Sequence, residues 1–167
     1  LDLCAGQARP EVQMPWARNT LACCFSVTKG VLALLAHLFI DRNFLDLDAK
    51  VCSLWPEFAS SGKKNISVRD ILTHRSGLPA VDEHVKPGLI YDLGGMERAL
   101  SKSSAVVPIG AAPVYHNMTY GYLLGGILER AGGTTLPSLI TRHLTGPLKA
   151  DFCIGLEQSH IVRTATL

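Results

Sequence analysis

Phe25-Ser26-Val27-Thr28-Lys29-Gly30, running straight into Val31-Leu32-Ala33-Leu34-Leu35, decides how the rest of the chain is read. A serine and a lysine three residues apart at the head of an apolar run fall on one helix face, one turn apart. From about Ser26 to Ile40 the run has no polar side, which predicts a buried helix rather than a strand. A serine hydroxyl is a poor nucleophile at its free pKa and needs a neighbouring base. A desolvated lysine supplies one, because burial lowers its own pKa. The first helical turn adds backbone N–H groups able to stabilise developing negative charge. On spacing alone the catalytic and the purely structural readings of Ser26 and Lys29 stand level, since Ser60 with Lys63 and Ser61 with Lys64 repeat the interval. Context separates the pairs. The other two straddle Gly62 in a polar loop, whereas an unpaired lysine in a buried helix is costly.

Beyond Ile40, Asp41-Arg42-Asn43 breaks the helix, and Asp46 to Val51 predicts a turn into a short helix that stops before Pro56. Lys63-Lys64, between Gly62 and Asn65, reads as a solvated turn. Ser67-Val68-Arg69-Asp70 ahead of Ile71-Leu72 is a capping box. That helix ends near His74-Arg75-Ser76-Gly77, where Gly77 takes the left-handed conformation and Pro79 cannot continue. Val81 to Gly95 reads as loop and Met96 to Ser101 as a helix. Val106 to Val114 is extended, leading Tyr115-His116-Asn117 onto a loop. Met118 to Ala131 has a helical apolar period closed by Gly132-Gly133, with Gly121 and Gly125 spaced for close packing. A further helix is predicted from about Thr135 to Leu144, with Pro137 in its first turn. Residues 1 to 20 read as an irregular lead-in and those beyond Gly146-Pro147 as loop.

With 167 residues, 47% hydrophobic and 18% charged, the chain suits one packed domain, 1–167, and the reading is mainly α. The net charge of +2 comes from 16 basic and 14 acidic residues without a basic run, so no nucleic-acid partner is expected. No metal is expected, because the six histidines show no ligand spacing, and no cofactor motif is present. Val31 to Ile40 is too short to span a bilayer. Five cysteines without a C-x-x-C pair suggest reduced thiols, with Cys23-Cys24 as two small buried residues. Together with no visible leader, this leans the expected location towards the cytoplasm.

Three segments in order carry a resemblance: Phe25 to Gly30, Val68 to Pro79 and Tyr115-His116-Asn117-Met118-Thr119-Tyr120-Gly121. They resemble the serine β-lactamase-like superfamily, within it the branch of class C β-lactamases, family VIII carboxylesterases and related D-alanyl-D-alanine peptidases. The resemblance runs from about Trp16 to Leu156. It implies that Ser26 is the acylated nucleophile, Lys29 its activating partner, Tyr115 the general base and Asn117 a ligand of Lys29 or of the substrate. The implied substrate is a small ester or a β-lactam, with the esterase favoured by the flavour of the motifs. A free tyrosine titrates near ~10 and needs an adjacent cation to share its proton at neutral pH. Without the family, Tyr115 reads as a loop aromatic packed on the protein. His74 and His116 are expected to be structural, and Asp70 a capping residue.

The superfamily's third motif, a Lys-Thr-Gly or His-x-Gly segment on a strand lining the site, has no counterpart here. Thr145-Gly146 follows a helix, where the family has a Pro-Leu-Gly-Met turn. Val107-Pro108-Ile109-Gly110 stands in place of a Trp-x-Pro-Gly turn, and Lys149-Ala150 in place of Gly-Met. The expected fold is therefore the helical portion of the α/β β-lactamase/transpeptidase-like fold, without its N-terminal strands and most of its antiparallel sheet. Two functions follow: a serine hydrolase acting through an acyl-enzyme on Ser26, or a non-catalytic fragment or pseudoenzyme of the same superfamily.

Overall fold

A computed structural model describes residues 3–81, 86 and 88–166. Ten short elements follow in order. The strands β1 (Gln7–Arg9) and β2 (Met14–Pro15) precede the helices α1 (Val27–Asp41), α2 (Val51–Leu54), α3 (Val68–Leu72) and α4 (Leu93–Lys102). After them come α5 (Thr119–Gly132), α6 (Leu136–Ile140), α7 (Gly146–Leu148) and α8 (Gln158–Ile161). Three 3-10 turns, at Pro10–Val12, Pro56–Ala59 and Leu89–Tyr91, and a π turn at Thr141–Thr145 lie between them. Among the described residues the sheet is the two-stranded antiparallel ribbon β1–β2.

α5 is the hub. Leu123, Leu124, Ile127 and Leu128 on it are fully buried, against Leu35, Ala36 and Phe39 of α1 and the apolar residues around α2 to α4. Each side chain of this size contributes about 1.5–3 kcal/mol by leaving water, so this cluster is the main source of stability. Gly133 takes φ +66° and donates its N–H to Glu129 O at 2.8 Å, ending α5 where the sequence predicts. Gly125 sits against Leu136, as the close-packing expectation requires, but Gly121 faces open space. The capping box forms as read: Ser67 Oγ accepts from Asp70 N, and the Asp70 carboxylate accepts from Ser67 N.

The segment after α3 is a dock for later chain. Gly77, with φ +78°, has no room for a side chain, since a Cβ there would meet Val107 O at 2.5 Å. His74 O accepts from Val114 N, Arg75 O from Gly110 N and Gly77 O from Val106 N. Leu78 O accepts from the Thr119 hydroxyl at 2.6 Å, fixing the start of α5. The stretch from Val106 to Val114 is thus held without forming a strand.

Several expectations are corrected. The lead-in is a hairpin, turned by Pro10–Val12 and by Gln13 at φ +53°. α1 is not buried all round, because Val27 and Leu34 are 67% and 55% exposed while Leu32, Leu35, Ala36 and Phe39 face the core. Cys23 and Cys24 are exposed rather than buried. Lys63 lies on no solvated turn: it is fully buried, donating from Nζ to the carbonyls of Ser60, Ser101 and Ser103 over the Phe58 ring. The predicted helix at 135–144 is interrupted by the π turn. Part of the loop read at Val81 to Gly95, residues 82–85 and 87, lies outside the described residues. The rest contains the turn at Leu89–Tyr91 and the first residues of α4, which starts earlier than read.

The final residues are not loose. α8 is followed by a parallel bridge between Leu21 and Thr164, with Ala165 N donating to Leu21 O and Thr166 N to Ala8 O. Arg163 spans this junction, paired with Asp151 at 2.5 Å and donating to Asn19 O.

Candidate active site

Ser26 stands at the head of α1, with Phe25 before it in a left-handed conformation at φ +44°. A bulky residue rarely holds that conformation, so the backbone is strained at the point where it presents the serine. Lys29 follows one turn later and its Nζ donates to Ser26 Oγ at 3.0 Å. The same ammonium lies 5.0 Å from the centre of the Tyr115 ring. The phenol makes no hydrogen bond of ordinary geometry to either group. Their polar contact, Ser26 first and then Lys29, still holds its pKa below the usual tyrosine value.

Two sequence expectations about this corner change. Lys29 is half-buried rather than desolvated, so its company is polar: a serine hydroxyl and a phenol. The amides of Val27, Thr28 and Lys29 are also occupied, donating to the carbonyls of Cys24, Phe25 and Ser26. Among the described residues the Ser26 N–H is the first-turn amide left without an acceptor. One free donor remains at Ser26 itself.

The loop 115–117 brings the second motif to the first. Tyr115 is 54% exposed and opens onto the serine, while His116 is fully buried beneath it. Asn117 lines the same cavity as Ser26 and Lys29 but does not hydrogen-bond Lys29. That cavity, about 750 Å³, is walled by Leu32, Ile90, Tyr91, Met118, Tyr122 and Leu136. Its lining is largely apolar, with Ser26, Thr28, Lys29, Asn117 and Glu129 as polar members. Sequence reading missed these walls because they come from separate elements, with Ile90 and Tyr91 in a segment read as loop. Gly121, read as a packing contact, leaves the floor open. The spacing of Met118, Gly121 and Tyr122 along one face of α5, next to Asn117, is the signal that would have found them.

Beneath Tyr115 lies a cluster of rings. His74, at φ +60°, has its ring 5.0 Å from Tyr115, 4.7 Å from Tyr120 and 5.4 Å from His116. Burial first, then the neighbouring His116 and Lys29, lowers the His74 pKa below the ordinary histidine value. Burial also lowers that of His116. Asp70 belongs to the capping box and points away from the serine. Among the described residues no three potential metal ligands gather, and no helix is long and apolar enough to cross a membrane.

The family model for beta-lactamase matches residues 1–166. The chain belongs to the beta-lactamase family. Esterase/beta-lactamase LipL of Mycobacterium tuberculosis is 30% identical over 151 residues, covering 90% of this chain and 35% of that protein. A penicillin-binding protein homologue from Caulobacter crescentus superposes with a TM-score of 0.92 at 36% identity, over 98% of this chain and 44% of that one. A family VIII carboxylesterase superposes at 0.91 with 31% identity, over 96% and 44%. The chain therefore spans less than half the length of these relatives. Within the beta-lactamase family it is a mostly helical portion of the fold, with one two-stranded sheet among the described residues.

Proposed function

We propose that this chain carries the acylating centre of a serine hydrolase that acts on small esters with an apolar group. Ser26 Oγ attacks the ester carbonyl carbon while its proton passes to the Tyr115–Lys29 pair. The alcohol leaves with that proton, and water then cleaves the acyl–Ser26 bond to release the acid. In this reading the Ser26 N–H, without an acceptor among the described residues, donates to the oxyanion, and Asn117, which lines the cavity, contacts the substrate. The observation that carries this reading is the Lys29 ammonium, hydrogen-bonded to Ser26 Oγ and lying 5.0 Å from the Tyr115 ring, with Ser26 and Lys29 both lining a largely apolar cavity of about 750 Å³. The names of relatives, an esterase/beta-lactamase and a family VIII carboxylesterase, support it. β-Lactams are the second substrate class.

The competing reading is a family member without turnover, and its support is the lack of the third motif within residues 1–167. Loss of one oxyanion donor costs on the order of a hundredfold in rate. Intact-mass measurement after a fluorophosphonate probe and after a penicillin separates the two. One adduct per chain, absent in Ser26→Ala, is the expected result. A folded chain that takes up neither reagent would overturn the hydrolase reading.

A further inference from the structure

The two imidazoles under Tyr115, His116 fully buried and His74 half-buried, have fixed and opposite tautomers. His74 Nδ1 accepts the backbone N–H of His116 at 3.1 Å, so it carries no proton. His116 Nδ1 lies against the Val114 carbonyl, which can only accept, so this nitrogen carries the proton. His116 Nε2 is then the acceptor, taking the Ser76 hydroxyl at 2.7 Å. His74 O also accepts from Val114 N, so both bonds from the 114–116 backbone to residue 74 bracket Tyr115 on either side. The His74 ring underlies the Tyr115 ring.

We infer that neutral His74 is the positioning residue of Tyr115: its unprotonated Nδ1 holds the loop that aims the phenol at Ser26 and Lys29, and its protonation releases that loop. A proton on Nδ1 converts the acceptor into a donor facing the His116 N–H, so the bond is lost. It also places a cation near the Lys29 ammonium. The groups facing His74 are Lys29 from α1, Tyr115 and His116 from the loop, and Tyr120 from α5. None is a carboxylate that would welcome the charge. Of the charged residues nearby in sequence, Asp70 is turned to Ser67 and Arg69 to Asp48. A pKa held below the ordinary value of about 6.5 agrees with this geometry.

This inference rests on the hydrolase reading for its catalytic consequence, but not for its structural one, and the test keeps them apart. Tyrosine ring-carbon and histidine ring-carbon NMR signals, with the His116 amide proton, are followed from pH 8 to 4 in the wild type, His74→Asn and His74→Leu. Asparagine tolerates the left-handed backbone and offers an oxygen acceptor that does not titrate. In the wild type the His116 amide and the Tyr115 ring signals are expected to shift together where His74 titrates. His74→Asn should lose that inflection while keeping the high-pH positions, and His74→Leu should be displaced throughout. Fluorophosphonate labelling should then fall about tenfold more per pH unit in the wild type than in His74→Asn below that inflection. A His116 amide indifferent to His74 titration in the wild type would overturn the proposal, as would an unchanged inflection in His74→Asn. If His74→Asn does not fold, the wild-type titration decides alone. If no protein is labelled at any pH, the hydrolase reading fails while the NMR signals still judge the bracket.

Discussion

The Tyr122 hydroxyl donates to the Ile90 carbonyl at 2.6 Å, tying α5 to the turn at Leu89–Tyr91 across the cavity. This one bond joins two walls that share no backbone hydrogen bond. Tyr122→Phe keeps the ring and removes the tie. A loss of about 1 kcal/mol in urea unfolding is expected, together with slower labelling by long-chain fluorophosphonates than by short ones.

Gly121 opens the floor of the same cavity, with nothing within 4 Å of where a Cβ would stand. Gly121→Leu should fill that space while leaving Ser26 and Lys29 untouched. Acylation by alkyl fluorophosphonates of increasing length is then expected to fall by about fourfold for each excluded methylene, from about 0.8 kcal/mol apiece. Equal losses for short and long chains would place the acyl group elsewhere.

Lys63 and Lys64 are neighbours with opposite surroundings. The Lys63 ammonium satisfies three carbonyls, including those of Ser101 and Ser103 at the end of α4, whereas Lys64 is exposed. Lys63→Met strands those acceptors and should cost roughly 3 kcal/mol or more in chemical denaturation. Lys64→Met should stay within about 0.5 kcal/mol of the wild type.

His74 and His116 also make stability depend on pH. Both pKa values are lowered in the folded chain, so between the folded values and about 6.5 the unfolded chain binds more protons. Stability is therefore full above about pH 6.5 and is lost as pH falls through that window. Denaturation midpoints measured from pH 8 to 5 should decline over this range, and His116→Gln should flatten the decline.

Local sequence chemistry made much of this legible. The α1 start, the Ser67–Asp70 box, the Gly133 stop of α5 and the turn at Gly77 each depend on residues a few places apart, which a linear reading captures. The meeting of Tyr115 with Ser26 and Lys29 is non-local and followed only from family resemblance. Burial of Lys63 was hidden because its partners are backbone carbonyls about forty residues away, which leave no mark on side-chain pattern. The hairpin escaped because three- and two-residue strands are too short for an alternating period. Exposure on one side of α1 was invisible for a different reason: an apolar residue reads the same whether or not a partner covers it.

The junction of Leu21 with Thr164, and of Ala8 with Thr166, clasps an early segment of the chain to a late one. Because the Leu21–Thr164 pairing is parallel, a pull that draws the early segment back and the late segment forward along the chain loads its hydrogen bonds together in shear rather than one after another, with the Arg163–Asp151 pair beside them.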